Sequence, residues 1–470
     1  MQQKRFISTV LMFIAVLLNA NAQQQQETKH EFSLQQCLDY AKKNNTQVKN
    51  ALLDLKIQEQ VNRAYTSSAY PQVKGNLNTT YFPNVTVQSF PNFIAAATYG
   101  VLEQEGVKDG NGNPITSPAD FGFISAAFGT KWNTAAGISL SQILFDGQVF
   151  VGLKARQTAL DSKQKSLEVT EESIRVNVYK IYYQLVVSQI QMDLLDANIE
   201  RARRLQHDAG ELYKNGFGEM LDVDRATVQL ANLETEKLKN QSIIDNGYLG
   251  LKYLIGMPAG DTLILTDRVT DEQIKEKILQ DTSYQYHDRK EYQYLELINI
   301  LNGYNIRRYK AAYMPSANLN SQFSKQAMRN QFNFFNRGDW FTSWYVGFSI
   351  DFPIFSGYLR DANVKKAELE LKQSQNLLED LKLSIDEEAG QAKNKFDAAV
   401  LTLDNQKTNM SLAQKVYEQA KKKFEVGTGS TTDITNSQLD LRIAQNNYIS
   451  AMYDAVIAKT DYLKAIGKLP

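Results

Sequence analysis

At 470 residues, with 52 basic and 52 acidic side chains, the chain is long enough for two or three ordinary domains and has no net formal charge. Electroneutrality gives no reason to expect nucleic acid as a partner. A mean hydropathy of -0.41 with 22% charged residues excludes a bundle of membrane-spanning helices, so any membrane role rests on something else.

Lys4-Arg5, an apolar run over residues 6–18 and Ala20-Asn21-Ala22 read as a secretory signal peptide over residues 1–22, cleaved after Ala22. A run of about 13 apolar residues is too short to span a bilayer. The single cysteine, Cys37, shares a helical face with Leu34, Leu38 and Ala41 and reads as a small buried hydrophobe. After a glutamine tract, S-L-Q-Q-C-L-D-Y-A-K-K-N-N gives a short amphipathic helix, and a second helix runs over about residues 46–70 to Pro71.

Val73, Gly75, Leu77, Thr79 and Tyr81 then alternate with polar neighbours, the period of a strand with two different faces. Residues 84–134 show no sustained period and read as one long loop, of the functional or mobile kind. Its D-G-N-G-N-P faintly resembles a calcium loop, but Pro114 stands where such a loop needs glycine, so a turn-rich loop is the expectation. A second strand over residues 137–145 closes in L-F-D-G. The helix that follows, over residues 148–213, has Leu153, Leu160, Leu167, Ile174 and Ile181 seven apart, with Val178, Leu185 and Met192 on an adjacent stripe. At 1.5 Å per residue it is roughly 100 Å long. Past Gly216-Phe217-Gly218 a returning helix reaches Gly256-Met257-Pro258.

Residues 259–282 link this first repeat, 23–258, to a second over 283–470. There a helix over about residues 289–313 leads to a strand at Ala317, Leu319, Ser321 and Phe323. A fourth strand over residues 344–352 closes in I-F-S-G, and a second long helix has Leu371, Leu378, Ile385, Ala392 and Ala399 seven apart. The tip F-E-V-G-T-G-S-T-T-D-I-T-N precedes a last helix with Leu441, Ala444, Tyr448, Ala451 and Ala455 in heptad steps. Gly427 and Gly429 suit the positive φ that closes one helix, and Ser430 with Asp433 suits a capping box that opens the next. Tyr213, Gly216, Gly218, Asp222 and Val223 match Phe424, Gly427, Gly429, Asp433 and Ile434 at a constant offset, so each half has the order helix, strand, strand, long helix, tip, helix.

Strands of about nine to eleven residues have the length that crosses a bilayer at a tilt. In lipid every backbone group must be paired, so strands cross only as closed barrels. Four do not close; three copies give twelve, with room for an aqueous lumen. Tyr81, Phe82, Phe145, Trp344, Phe352 and Phe355 at the strand ends suit its aromatic girdle. The alternative is a small soluble sheet capped by helices.

The start S-L-Q-Q-C-L-D-Y-A-K-K-N-N-T-Q-V, the strand exits L-F-D-G and I-F-S-G, and the tips Y-K-N-G-F-G-E-M-L-D-V and F-E-V-G-T-G-S-T-T-D-I together resemble the TolC-like outer-membrane efflux proteins. The resemblance implies a mostly α fold with a membrane β-barrel: a homotrimer whose 12-stranded barrel, set in outer-membrane lipid, continues into a long periplasmic α-helical barrel. It implies a passive export duct opened by a periplasmic adaptor protein and an inner-membrane pump, in an efflux or type I secretion system. The tips Gly216, Phe217, Gly218, Gly427, Thr428 and Gly429 become candidate adaptor contacts, and Asp222, Asp433, Asn436, Phe424 and His207 the candidate periplasmic gate. Gly429 and Asn436 depart from the bulky and acidic residues common in that family.

No enzyme or cofactor is expected. His30, His207 and His287 are far apart, His207-Asp208 reads as a solvated pair, and Asp222-Val223-Asp224 as first-turn acids answering a helix dipole. A second reading, a poreless periplasmic or surface coiled-coil scaffold or adhesin, has no need of the four strands.

Overall fold

The computed structural model describes residues 29–275, 284–335 and 338–469. The expected leader over residues 1–22, the glutamine tract and the end of the 259–282 segment lie outside the described residues. In chain order the elements are β1 (Lys29–Phe32), α1 (Leu34–Asn44), α2 (Thr46–Ser67), β2 (Gln72–Tyr81), β3 (Val87–Pro91), α3 (Phe93–Gln104), β4 (Phe123–Ala127), β5 (Trp132–Phe145) and α4 (Gly147–Lys214). There follow α5 (Met220–Ile255), β6 (Thr262–Leu265), α6 (Asp271–Lys275), α7 (Lys290–Ala311), β7 (Ser316–Arg329), β8 (Phe341–Asp351), α8 (Leu359–Glu425) and α9 (Thr431–Ala465). The described residues form two compact units, one within 1–60, 155–303 and 368–470 and the other within 61–154 and 304–367. Each unit draws on both sequence repeats.

The first unit is helical. No proline falls within α4, α5, α8 or α9, so nothing interrupts their hydrogen-bond ladders. On α4 the buried stripe is Ile174, Val178, Tyr182, Leu185 and Met192, while Ile181 is half-buried. These side chains pack in one cluster with Cys37 and Ala41 of α1, Leu251 and Ile255 of α5, and Met452 and Ala455 of α9. Burying each large one contributes about 1.5–3 kcal/mol. The Tyr182 hydroxyl donates to Phe32 O and accepts from Asp267 N, at 3.3 Å each, so the polar end of the ring is satisfied in the core. The segment between the repeats is integral here: β6 pairs in parallel with β1, from Lys29↔Thr262 to Phe32↔Leu265. Burial, helped by Asp267, pushes the Cys37 thiol up to about 12.

The second unit centres on an antiparallel sheet of order β2-β5-β7-β8. Its register aligns Gly75, Ile138, Phe323 and Trp344 in one row and Val73, Leu140, Ser321 and Val346 in another. Directly opposed residues share a face, so one face collects Val73, Leu77, Ile138, Leu140, Phe323, Trp344, Val346 and Phe348. The other collects Lys74, Asn76, Ser139, Ser141, Asn320, Gln322 and Tyr345.

Two expectations are corrected. β5 and β7 are 14 residues each, longer than the alternation indicated, because ladder pairing continues through Thr134-Ala135-Ala136 and Ser324-Lys325-Gln326, where the polar-apolar contrast fades. Residues 84–134 are not one loop: β3 and β4 form a hairpin, and α3 lies between them, its start capped by Asn92 Oδ1 accepting from Ala95 N at 3.0 Å. Strands of five residues are too short for a period to register. The D-G-N-G-N-P stretch is a turn, with Asp109 Oδ1 accepting from the amides of Asn111 and Asn113 at 2.9 Å each.

Candidate functional site

Two features carry chemistry: the two-faced sheet and the helical tips. Among the described residues β2 and β8 each have a single neighbouring strand, so each keeps a row of backbone donors and acceptors unpaired in the sheet. The apolar face is exposed over most of its area, with Leu77 72% and Trp344 69% exposed, and is covered at Thr134 and Ala327. No described helix is long and apolar enough to cross a membrane. On the polar face the charged residues within the paired register are Lys74 and Asp351, among amides, hydroxyls and small residues with Ile143, Met328 and Phe341 interspersed, while the apolar face carries Lys325 and Arg329 toward the Tyr81 end of the sheet.

Aromatic rings gather at both ends of this sheet. Tyr81 stacks beside Trp132 at 4.6 Å, and Trp132 meets Phe332 at 4.9 Å, next to Phe82 at the strand exit. At the opposite end Phe145 contacts Phe150 at 5.5 Å and Phe355 contacts Tyr358 at 5.8 Å, with Phe352 just past β8. Trp344 departs from its expected place. β8 begins at Phe341, so Trp344 lies inside the strand opposite Phe323 rather than at its end. Trp132 and Phe332 were missed because both lie in stretches without a clear period.

At the tips, α4 and α8 end in the same hydrogen-bonded turn. Gly216 N donates to Tyr213 O at 3.0 Å and Phe217 N to Leu212 O at 2.8 Å; Gly427 N donates to Phe424 O at 3.0 Å and Thr428 N to Lys423 O at 2.9 Å. Gly216 and Gly427 have φ of 77° and 74°. The second glycine of each tip is needed for space instead of positive φ, since a Cβ on Gly429 would sit 3.0 Å from Phe424 N and one on Gly218 3.2 Å from Tyr213 N. Phe217 is 85% exposed, and Thr428 is exposed too.

The capping box forms as expected: Asp433 N donates to Ser430 Oγ at 3.1 Å and Ser430 N to Asp433 Oδ2 at 3.3 Å. The first tip has no equivalent, since Glu219 caps α5 without a side-chain bond and Asp222 pairs with Arg225 at 3.8 Å. Phe424 is half-buried against a cluster of Leu205, Ala226, Tyr417, Ile434 and Leu441, in the packing between the two hairpins. Higher up, Asn198 Nδ2 donates to Gln445 Oε1 at 2.8 Å in a buried tie between α4 and α9, and the Arg201 guanidinium lies 5.8 Å from the Tyr417 ring centre.

His207 is exposed on α4, and the described residues contain no cluster able to hold a metal. Asp433 and Asn436 are exposed on α9, and Asp440, one heptad beyond Asp433, continues their stripe. Sequence reasoning passed over Asp440 because it lies outside the tip motif.

The chain matches the sequence profile described as Outer membrane efflux protein over residues 116–257 and 302–468. It is similar to the outer membrane protein TolC of Vibrio cholerae, 20% identical over 341 residues that cover 71% of this chain and 77% of that protein. It is also similar to the outer membrane efflux protein BepC of Brucella suis, 22% identical over 344 residues covering 71% and 72%. Among solved structures, the Campylobacter jejuni CmeC outer membrane channel superposes with a TM-score of 0.70 at 16% identity, over 95% of this chain and 90% of that one. The outer membrane protein VceC of Vibrio cholerae superposes at 0.68 and 13% identity, over 92% and 96%. At these identities the superpositions establish the fold.

Proposed function

The chain belongs to the outer membrane efflux protein family, and from that premise we propose that three copies close a twelve-stranded barrel in the outer membrane and form a passive duct from periplasm to exterior. The observation that carries this reading is the sheet: one face mainly apolar and exposed over Val73, Leu77, Ile138, Trp344, Val346 and Phe348, the other mainly polar with few charges, and both edge strands open. β2 and β8 run in opposite directions, so β8 of one copy beside β2 of the next continues the antiparallel ladder. Lipid meets the apolar face and water the polar one. A poreless scaffold leaves that sheet without a purpose.

In this reading a leader over residues 1–22 directs export, and the helical unit forms the periplasmic tunnel. A periplasmic adaptor, linked to an inner-membrane pump, meets the exposed tips around Phe217 and Thr428. Asp433, with Asp440 one heptad further and Asp222 in the first half, supplies negative charge repeated around the three-fold axis. Charges at a narrow entrance focus the potential and select ions.

Planar-bilayer recording tests the proposal. The parent protein is expected to give discrete conductance steps with cation preference. Asp433→Asn with Asp440→Asn is expected to keep the steps and lower that preference, because an amide oxygen at position 433 still accepts from Ser430 N and at the exposed position 440 only the charge is lost. Absence of steps from the parent sinks the duct, and an unchanged preference removes these two residues from its mouth.

A further inference from the structure

Each of the four chain crossings between helix and sheet has a cation at the same remove from the strand. Arg63 of α2 precedes Gln72 by nine residues, Lys154 of α4 follows Phe145 by nine, Arg307 of α7 precedes Ser316 by nine, and Arg360 of α8 follows Asp351 by nine. At 1.5 Å per residue they lie within roughly 10 Å of the helix ends that feed the strands. Arg308 and Lys310 thicken the ring on α7.

Two carboxylates at this level are otherwise engaged. Asp146 Oδ1 accepts from the amides of Gln148 and Val149 at 2.8 and 3.2 Å, capping α4, and Asp361 pairs with Lys365 at 2.8 Å. Asp351 belongs to the polar face of the sheet, opposite Ser316. The guanidinium groups are backed by tyrosine: Arg307 lies 5.6 Å from the Tyr304 ring centre, Arg308 4.9 Å from Tyr309 and Arg360 6.0 Å from Tyr313. Contacts of this kind position a guanidinium while leaving N–H groups available to acceptors, although Arg360 Nη1 already donates to Pro353 O at 3.4 Å. Arg308 Nε is buried without an acceptor among the described residues.

Resting on the barrel reading above, we propose that this ring binds the anionic phosphate headgroups of the phospholipid leaflet on the helix side of the membrane. The placement fits. The apolar sheet face ends where the helices begin, a headgroup layer extends roughly 5–8 Å beyond the hydrocarbon, and long basic side chains reach along apolar surface to keep their charges in it. Juxtamembrane cations are attracted to anionic lipid, and tyrosine favours the same layer.

The test uses the full-length protein reconstituted in bilayers of mixed phosphatidylglycerol and phosphatidylcholine, checked for conductance, then extracted gently and weighed with its retained lipids. The parent is expected to retain phosphatidylglycerol over phosphatidylcholine by at least about ten-fold, falling with added salt. The combined variant Arg63→Gln, Lys154→Gln, Arg307→Gln and Arg360→Gln is expected to lose that preference. If this variant fails to assemble, Arg63→Gln and Lys154→Gln as singles are expected to show graded losses, with Arg63→Lys as the charge-retaining control that shows none. Exchange of chloride for inorganic phosphate at constant ionic strength is expected to leave the retained lipid unchanged; displacement by phosphate makes this a free-anion site and overturns the lipid assignment. A conducting parent that holds both lipids equally overturns the ring alone. A parent that neither inserts nor conducts overturns the barrel reading with it.

Discussion

Arginine at Ile138 is expected to keep the protein out of a bilayer, and arginine at the next residue, Ser139, to let it in. The two neighbours point to opposite faces of β5: Ile138 lies in the row of Gly75, Phe323 and Trp344, and Ser139 opposite Lys74 and Gln322. Their rows fall near mid-height of the paired sheet, where a barrel wall meets the centre of the hydrocarbon. An arginine on the lipid face there costs about 2–4 kcal/mol per chain, and a trimer contains three. On the lumen face the same side chain meets water and changes ion flow instead of insertion. Flotation of folded protein with lipid vesicles measures the difference. Equal insertion of Ile138→Arg and Ser139→Arg contradicts the assignment of faces.

Arg289→Met is expected to be the most destabilising single change in the helical unit. The Arg289 side chain is 3% exposed, and its Nη1 donates to Glu388 Oε2 and to the Ala465 carbonyl at 3.0 Å each, while Nε donates to Glu291 at 3.3 Å. This one side chain therefore ties the start of α7 to α8 and to the end of α9. Breaking a buried ion pair costs about 3–5 kcal/mol, and because both carboxylates keep some solvent contact the lower end, about 3 kcal/mol, applies. Thermal melting in detergent, followed by helical signal, reads the loss; a variant that melts with its parent contradicts it.

The same cluster sets a pH dependence. Burial alone raises the Glu291 carboxyl, but the charge of Arg289 and its hydrogen bonds outweigh that and hold it below the usual glutamate range. A depressed carboxylate contributes stability that is present above its unfolded value and lost as pH falls through its folded value. The gap between Arg289→Met and its parent is therefore expected to narrow in acid.

Legibility in the sequence followed the physics of each element. β8 was plain, since Trp344, Val346, Phe348 and Ile350 alternate with Tyr345, Gly347 and Ser349 over a strand with one bare apolar face. Heptad spacing located α4, α5, α8 and α9, because long helices are regular enough for a period to accumulate. The same reasoning lost the far halves of β5 and β7, where ladder bonds instead of side-chain contrast keep the strands together, and it lost α3 and its hairpin, which are too short. At the tips, positive φ explained Gly216 and Gly427, but the need for Gly218 and Gly429 is a close approach to the preceding helical turn that no local pattern displays. The role of Phe424 was hidden for a similar reason: its neighbours Leu205 and Ala226 come from the other half of the chain.

The central claim is that three copies close one barrel through their open edges, and cysteine pairing across that seam tests it most directly. Cysteine at Asn78 of β2 is combined in turn with cysteine at each of positions 342–348 of β8, and the membranes are oxidised; a disulfide forms only where Cβ atoms come within about 4.5 Å. Cys37, fully buried with its thiol pushed up to about 12, stays out of the reaction. The account predicts that neighbouring β8 positions give covalent dimers and trimers, and nothing larger. Monomers at every position, or a series running past three, contradict it.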